Sequence, residues 1–178
     1  AFNSYFDFRR GVDSEKYNQE DDKVLISKKI SPDTALFIAL GLYGVAAFYG
    51  LALAVKVGWE VLAVGAIGMA IGFFYNGGPH PISNTPLGEL FAGGFLGSVL
   101  LVLSFYVHTA EVSINVFLVS IPSLLLVASI LTVNNTCDIE GDREAGRKTF
   151  SILVGRNAAS IVIYLIGITS FGLLFLYA

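Results

Sequence analysis

Charge is scarce in this sequence. Asp, Glu, Lys and Arg make up 14% of its 178 residues, against about 25% in an average soluble domain. There is no basic surplus: eleven Lys and Arg face fourteen Asp and Glu, for a formal net charge of −3. A nucleic-acid binder shows the opposite balance, so nucleic acid is excluded as a partner. A single cysteine excludes a disulfide scaffold and a cysteine-built zinc site. Disordered chains combine low hydrophobicity with high charge, and here 54% of residues are hydrophobic. What remains is an integral membrane protein.

The few charges are unevenly placed. Thirteen of the 25 lie in residues 1–33 and eight in 138–156, which leaves only Lys56, Glu60, Glu89 and Glu111 elsewhere. Between them run charge-free stretches: Thr34–Val55, Val61–Gly88, Leu90–Ala110, Val112–Cys137 and Asn157–Ala178. A bilayer-crossing helix needs about 20 mostly apolar residues. The expected fold is therefore all-α, a multi-span transmembrane helical bundle. The whole chain 1–178 is expected to form a single membrane domain, with spans at 34–55, 60–75, 89–108, 112–134 and 157–178. The runs are apolar all round, unlike the outer helices of a soluble bundle, and they lack the alternation of barrel strands. Asn76, Gly77, Gly78, Pro79 and Pro81 break the chain after the second span. The chain has no initiator Met, begins at Ala1 in what reads as a helix end, and stops at Ala178 inside an apolar run. It is expected to be truncated at both ends.

Basic residues set the topology. Ten of the eleven Lys and Arg fall in 9–29 and 143–156. Counting spans puts both segments and the 76–86 loop on one face, and the positive-inside rule makes that face cytoplasmic.

Two acidic motifs share this face. The first runs from Asn3 through Asp7, Arg9 and Arg10 to Asp13; the second holds Asn134, Asn135, Asp138 and Asp142 before Arg143, Arg147 and Lys148. Each contains Asn-x-x-x-Asp with a further Asp downstream, a weak internal repeat. On a continuous helix Asn134, Asp138 and Asp142 form one stripe, with Asn135 beside it. Gly11 is expected to end the helix that carries Asn3 and Asp7, leaving Asp13 in a loop. Clustered carboxylates need a cation, and carboxylate and amide oxygens suit Mg²⁺, which completes its shell with water and phosphate. Neighbouring Arg and Lys suit the remaining phosphate charge. The pair of motifs reads as a Mg²⁺–diphosphate site. Ordinary solvated loop charge is the competing reading, and it suits Glu15, Glu20 and Glu140. A cation transporter using the carboxylates stays open, though it would place them mid-span. A CDP-alcohol phosphotransferase also pairs Asp motifs, but Ile139-Glu140-Gly141 breaks its pattern.

These motifs, with Gly146-Arg147-Lys148-Thr149, resemble the UbiA superfamily of intramembrane aromatic prenyltransferases. Asn3–Asp13, Tyr75–Glu89 and Asn134–Arg156 are similar to the 1,4-dihydroxy-2-naphthoate polyprenyltransferase branch of menaquinone synthesis. The sequence departs from the family at Ser4, where an Asp often stands. The resemblance implies transfer of a polyprenyl group from polyprenyl diphosphate to dihydroxynaphthoate with loss of CO₂. A 4-hydroxybenzoate-like acceptor is the alternative. It implies Asp7, Asp138 and Asp142 as catalytic residues and Asn3, Asp7, Asp13, Asn135, Asp138 and Asp142 as ligands of Mg²⁺. Arg10, Arg147 and Lys148 would meet the diphosphate, and Tyr75, Asn76 and His80 the aromatic acceptor. The implied setting is a lipid bilayer, a bacterial plasma membrane with the active face cytoplasmic.

Overall fold

The computed structural model describes residues 2–11, 25 and 29–177, and among these the regular structure is helical throughout. Helix α1 covers Phe2–Arg10. It ends because Gly11 takes φ +71°, a left-handed conformation that glycine adopts at little cost, and its N–H bonds back to the Phe8 carbonyl at 3.2 Å. Helix α2 covers Pro32–Val57. Its start is written in the sequence: Ser31 accepts the Thr34 N–H on its side chain, Pro32 opens the first turn and Asp33 complements the helix dipole.

Helix α3 covers Trp59–Asn76 and stops at the Gly-Gly-Pro run. A 3₁₀ turn at Ile82–Asn84 follows. The next helix is continuous over Gly88–Thr109 but not uniform. An α-helical α4, Gly88–Ala92, passes through a π-helical turn, Gly93–Val99, into α5, Leu100–Thr109. Helix α6 spans Ile114–Cys137 with Pro122 inside it. Two short helices, α7 (Ile139–Glu144) and α8 (Phe150–Val154), lead to α9, Arg156–Tyr177. Among the described residues five helices are long and apolar enough to cross a membrane: Pro32–Val57, Trp59–Asn76, Gly88–Thr109, Ile114–Cys137 and Arg156–Tyr177.

Burial is inverted relative to a soluble protein. Phe37, Val55 and Phe175 are at least 80% exposed, whereas Ser120, Ser151, Ala159 and Ser170 are fully buried. In water such apolar exposure would drive aggregation. In lipid the helices instead pair through small residues, while large apolar side chains face the acyl chains.

The chain divides into two compact units, Ala1–Ile82 with Glu140–Arg147, and Ser83–Ile139 with Lys148–Ala178. In the first unit Phe2 packs edge-on against Tyr43 and Phe73, with ring centroids 4.7 and 5.6 Å apart, so α1 seats on α2 and α3 through aromatic contacts. The Tyr43 hydroxyl donates to the Met69 carbonyl at 3.1 Å and ties α2 to α3. In the second unit the π-turn lies directly on α6. A Cβ on Gly97 would sit 2.4 Å from the Leu124 Cα, and one on Gly93 2.5 Å from the Leu124 carbonyl oxygen. The Ser98 and Ser120 hydroxyls bond at 2.7 Å across the same contact. Further along α6, Thr136 and Ser151 bond at 2.9 Å and hold α8.

Candidate functional site

The first acidic motif lies on α1 and turns its carboxylate inward. Asp7 is 6% exposed. Its partners come from far along the chain. The Asn76 Nδ2 donates to the Asn3 Oδ1 and, at 3.4 Å, to the Asp7 Oδ1. Asn76 is the last residue of α3 and is buried, so the end of one apolar helix supports the amide and carboxylate of another.

Arg10 completes this arrangement. Its guanidinium donates to the backbone carbonyls of Asn76 and, at 2.6 Å, of Gly78, and it lies 5.3 Å from the Phe6 ring centroid. Two carbonyls and an aromatic face thus engage the guanidinium, and the turn after α3 is pinned to α1. The Phe6 ring packs edge-on against Phe73 at 5.8 Å in the same cluster.

The second motif contributes to this unit through its downstream half. Asp142 is 4% exposed. The Arg147 Nη1 donates to the Asp142 Oδ1 at 2.9 Å, and the Arg147 backbone N–H bonds to the Asp142 carbonyl at 2.9 Å. The Arg147 Nη2 lies 3.5 Å from the Asp7 Oδ1. One guanidinium therefore gathers an aspartate from each motif. A planar fork with several N–H groups can do this, where a lysine offers a single point charge.

The upstream half of the second motif does not form the expected stripe. Helix α6 ends at Cys137, and Asp138 leaves helical geometry at φ −100°, ψ 18° although its N–H still reaches the Asn134 carbonyl at 3.1 Å. A new helix starts at Ile139, which is itself buried. The turn that would have aligned Asn134, Asp138 and Asp142 is interrupted, and Asn134 and Asp138 are exposed. In the second unit Asn135 is half-buried and donates its Nδ2 to the Oε1 of Glu89 at 2.8 Å. Lys148 bonds through its backbone N–H to the Asn84 carbonyl at 2.9 Å and keeps its side chain exposed.

Tyr75 is half-buried and His80 exposed. Asp13 lies outside the described residues. Among the described residues no three His, Cys, Asp or Glu side chains gather as a metal-binding group. The donors that do converge are two carboxylates, Asp7 and Asp142, already sharing one cationic group. Mg²⁺ is commonly held by only one or two carboxylates, with substrate phosphates and waters completing its shell, so this donor set fits a metal–diphosphate.

The sequence matches the UbiA prenyltransferase family over residues 1–178. The chain belongs to this family. A 1,4-dihydroxy-2-naphthoate octaprenyltransferase of Bacillus subtilis is 40% identical over 158 residues, covering 89% of this chain and 50% of that protein. The UbiA prenyltransferase domain-containing protein 1 homolog of Drosophila melanogaster is 30% identical over 178 residues, 98% of this chain and 48% of its own length. The human UbiA prenyltransferase domain-containing protein 1 is 30% identical over 158 residues, 86% of this chain and 45% of its own. The chain spans about half the length of the curated relatives it matches. No solved structure matches it. UbiA membership and the five apolar helices make it an integral membrane protein.

Two contacts of the motif residues escape the sequence. Asn76, expected from the sequence to meet the acceptor, also bonds to Asn3 and Asp7 of the first motif from the end of α3. Glu89 has one visible signal, an isolated acidic residue at the edge of a long charge-free run, the placement that marks functional carboxylates in membrane helices.

Proposed function

We propose that this chain carries the catalytic motifs of a UbiA-type prenyltransferase that transfers a polyprenyl group from polyprenyl diphosphate to 1,4-dihydroxy-2-naphthoate. The observation that carries this reading is the Arg147 guanidinium on both Asp7 and Asp142. It gathers two carboxylates and a phosphate-compatible cation at one point of an otherwise apolar protein. The similarity to the Bacillus subtilis octaprenyltransferase supports the acceptor.

In this reading Asp7 and Asp142 hold Mg²⁺, with Asn3 beside them, and Asn135, Asp138 and Asp13 join the ligand set on the strength of the motif pattern alone. The bound metal supplies charge neutralisation that makes diphosphate a better leaving group. Asn76 holds Asn3 and Asp7 in register. Arg147 and Lys148 meet the diphosphate oxygens, and Arg10 acts from its seat on the Asn76 and Gly78 carbonyls, fixing the turn that bears Tyr75, Asn76 and His80 toward the acceptor. The allylic C–O bond breaks and its electron pair leaves with the diphosphate. The ring carbon bearing the carboxylate attacks the allylic carbon to form the new C–C bond. CO₂ then departs, and its bonding pair restores the aromatic ring. Water would intercept the allylic cation, so the apolar helices exclude it. The Phe2, Phe6, Tyr43 and Phe73 faces favour a nearby cation. The active face is cytoplasmic and the membrane a bacterial plasma membrane.

The test is an assay of the intact protein in lipid with a labelled polyprenyl diphosphate, offered dihydroxynaphthoate and 4-hydroxybenzoate separately, with and without Mg²⁺. The expected outcome is a decarboxylated, prenylated naphthalenoid product that requires the metal. Preference for 4-hydroxybenzoate overturns the acceptor assignment, and full turnover in excess EDTA overturns the metal.

A further inference from the structure

Glu89 is the only charged residue between Val61 and Ala110, and the reaction outlined above gives it no part. It is 7% exposed. Its Oε1 accepts from the Asn135 Nδ2 at 2.8 Å. Its Oε2 is buried and accepts no hydrogen bond from the described residues. One neutral amide is meagre compensation for a buried carboxylate, and ionisable groups in membrane helices persist where they serve function. Its position in the first turn of the Gly88–Thr109 helix favours a negative charge there. That accounts for the sign of the charge and leaves its choice of partner to be explained.

The partner is informative because an asparagine amide has two unlike ends. Its Nδ2 only donates, and its Oδ1 only accepts. An ionised carboxylate only accepts, so it faces Nδ2 and repels Oδ1. Glu89 thereby fixes which way round the Asn135 amide stands, with the Asn135 oxygen directed away from the carboxylate. Metal ligands are routinely oriented by such a partner, and losing it typically costs about 10- to 100-fold in metal affinity.

We propose that Glu89 is a positioning residue that sets the Asn135 amide with its oxygen presented as a metal ligand. The proposal rests on the metal–diphosphate reading above. A glutamine at position 89 would not do the same: its own amide can turn, and its NH₂ can take the Asn135 Oδ1 away from the metal.

The experiment measures Mn²⁺ binding, as a probe for Mg²⁺, by electron paramagnetic resonance. It uses the intact protein in lipid nanodiscs with a polyprenyl diphosphate and no acceptor, so no turnover occurs. Thermal stability without metal is recorded alongside. Glu89→Ala is expected to weaken Mn²⁺ binding about tenfold, and Asn135→Ala at least as much. The double variant is expected to bind no more weakly than Asn135→Ala alone, because Glu89 acts only through that amide. Glu89→Gln, which conserves volume, is expected to fall between wild type and Glu89→Ala. If Glu89→Ala does not fold, Glu89→Gln decides the matter, and wild-type affinity in it overturns the proposal. Losses that multiply in the double variant overturn it, as does a lowered melting temperature with unchanged Mn²⁺ affinity. Asp142→Ala separates the two levels of inference. If it weakens Mn²⁺ binding while the Glu89 variants do not, only the role of Glu89 is wrong. If Asn135→Ala, Asp138→Ala and Asp142→Ala all bind Mn²⁺ normally, the metal reading fails as well.

Discussion

Replacing Arg147 by alanine should destabilise the protein severely, and added Mg²⁺ should recover part of the loss. Arg147 lies 2.9 Å from the Asp142 Oδ1 and 3.5 Å from the Asp7 Oδ1, and all three side chains are about nine-tenths buried. At an effective dielectric constant near 20, Coulomb attraction at these separations is about 5 kcal/mol per pair. Much of that gross figure offsets desolvation already incurred on folding. Removing the shared cation leaves the desolvation of both carboxylates in place and adds their mutual repulsion. Measured losses for breaking one buried pair run about 3–5 kcal/mol, and that is the expected loss for Arg147→Ala. Arg147→Lys should lie between the two, since an ammonium cannot fork to two carboxylates. Unfolding by detergent titration, followed by circular dichroism, reads the loss. Repeating it in millimolar Mg²⁺ should stabilise Arg147→Ala more than wild type, because the Arg147 guanidinium no longer competes with the added cation for the two carboxylates. A change below about 1 kcal/mol, the usual value of an exposed pair, would refute the claim that Arg147 holds the two motifs together.

Other outcomes are equally specific. Asp142→Ala should abolish prenyl transfer in the intact protein while leaving it folded, and turnover at the wild-type rate would remove Asp142 from the metal set. Gly97→Ala should cost at least about 1–3 kcal/mol in the same unfolding assay, because the new methyl meets backbone atoms of Leu124 rather than a side chain that can move; Gly94→Ala, with open space at its Cβ, is the control and should be close to neutral. Asn76→Leu should lower kcat more than it raises the acceptor KM, since Asn76 holds Asn3 and Asp7; the reverse pattern would refute that support of the first motif is its main role. A cysteine at His80 should resist a membrane-impermeant thiol reagent applied to intact cells, and one at His108 should react, in a background lacking Cys137; the opposite pattern would invert the topology.

The fold class is legible in the sequence because membrane insertion depends on a one-dimensional property. A charge-free run such as Thr34–Val55 is unmistakable wherever its neighbours lie, and Ser31-Pro32-Asp33 and Gly11 mark helix ends through local backbone chemistry. The acidic motifs are legible too, since carboxylates beside apolar runs are costly. What the sequence conceals is pairing. Hydropathy does not say that Asn76 will reach Asn3, that Arg10 will find two carbonyls beyond α3, or that Glu89 will meet Asn135. These are contacts between residues far apart in the chain, fixed by which helix faces meet. The helical stripe of the second motif misleads for a different reason. Its spacing fits a continuous helix, but the chain leaves helical geometry at Asp138 and buries Ile139 immediately afterwards.

The π-turn at Gly93–Val99 changes how its helix should be numbered as well as how it packs. A π-turn holds one residue more than an α-turn of the same role, so the two flanks of Gly88–Thr109 are out of phase by about 100°, the angular step of one α-helical residue. A helical wheel drawn through the whole segment assigns the wrong face to one flank. The extra residue is also one the helix can lose without breaking its hydrogen-bond ladder. Deleting Gly94 lets the segment relax to a plain α-helix with both flanks in phase, but it changes the spacing of Gly93 and Gly97, the two glycines that bring it onto α6. Length in this helix is therefore cheap and local spacing is not: a one-residue deletion here should be accepted by the backbone and felt at the contact with α6.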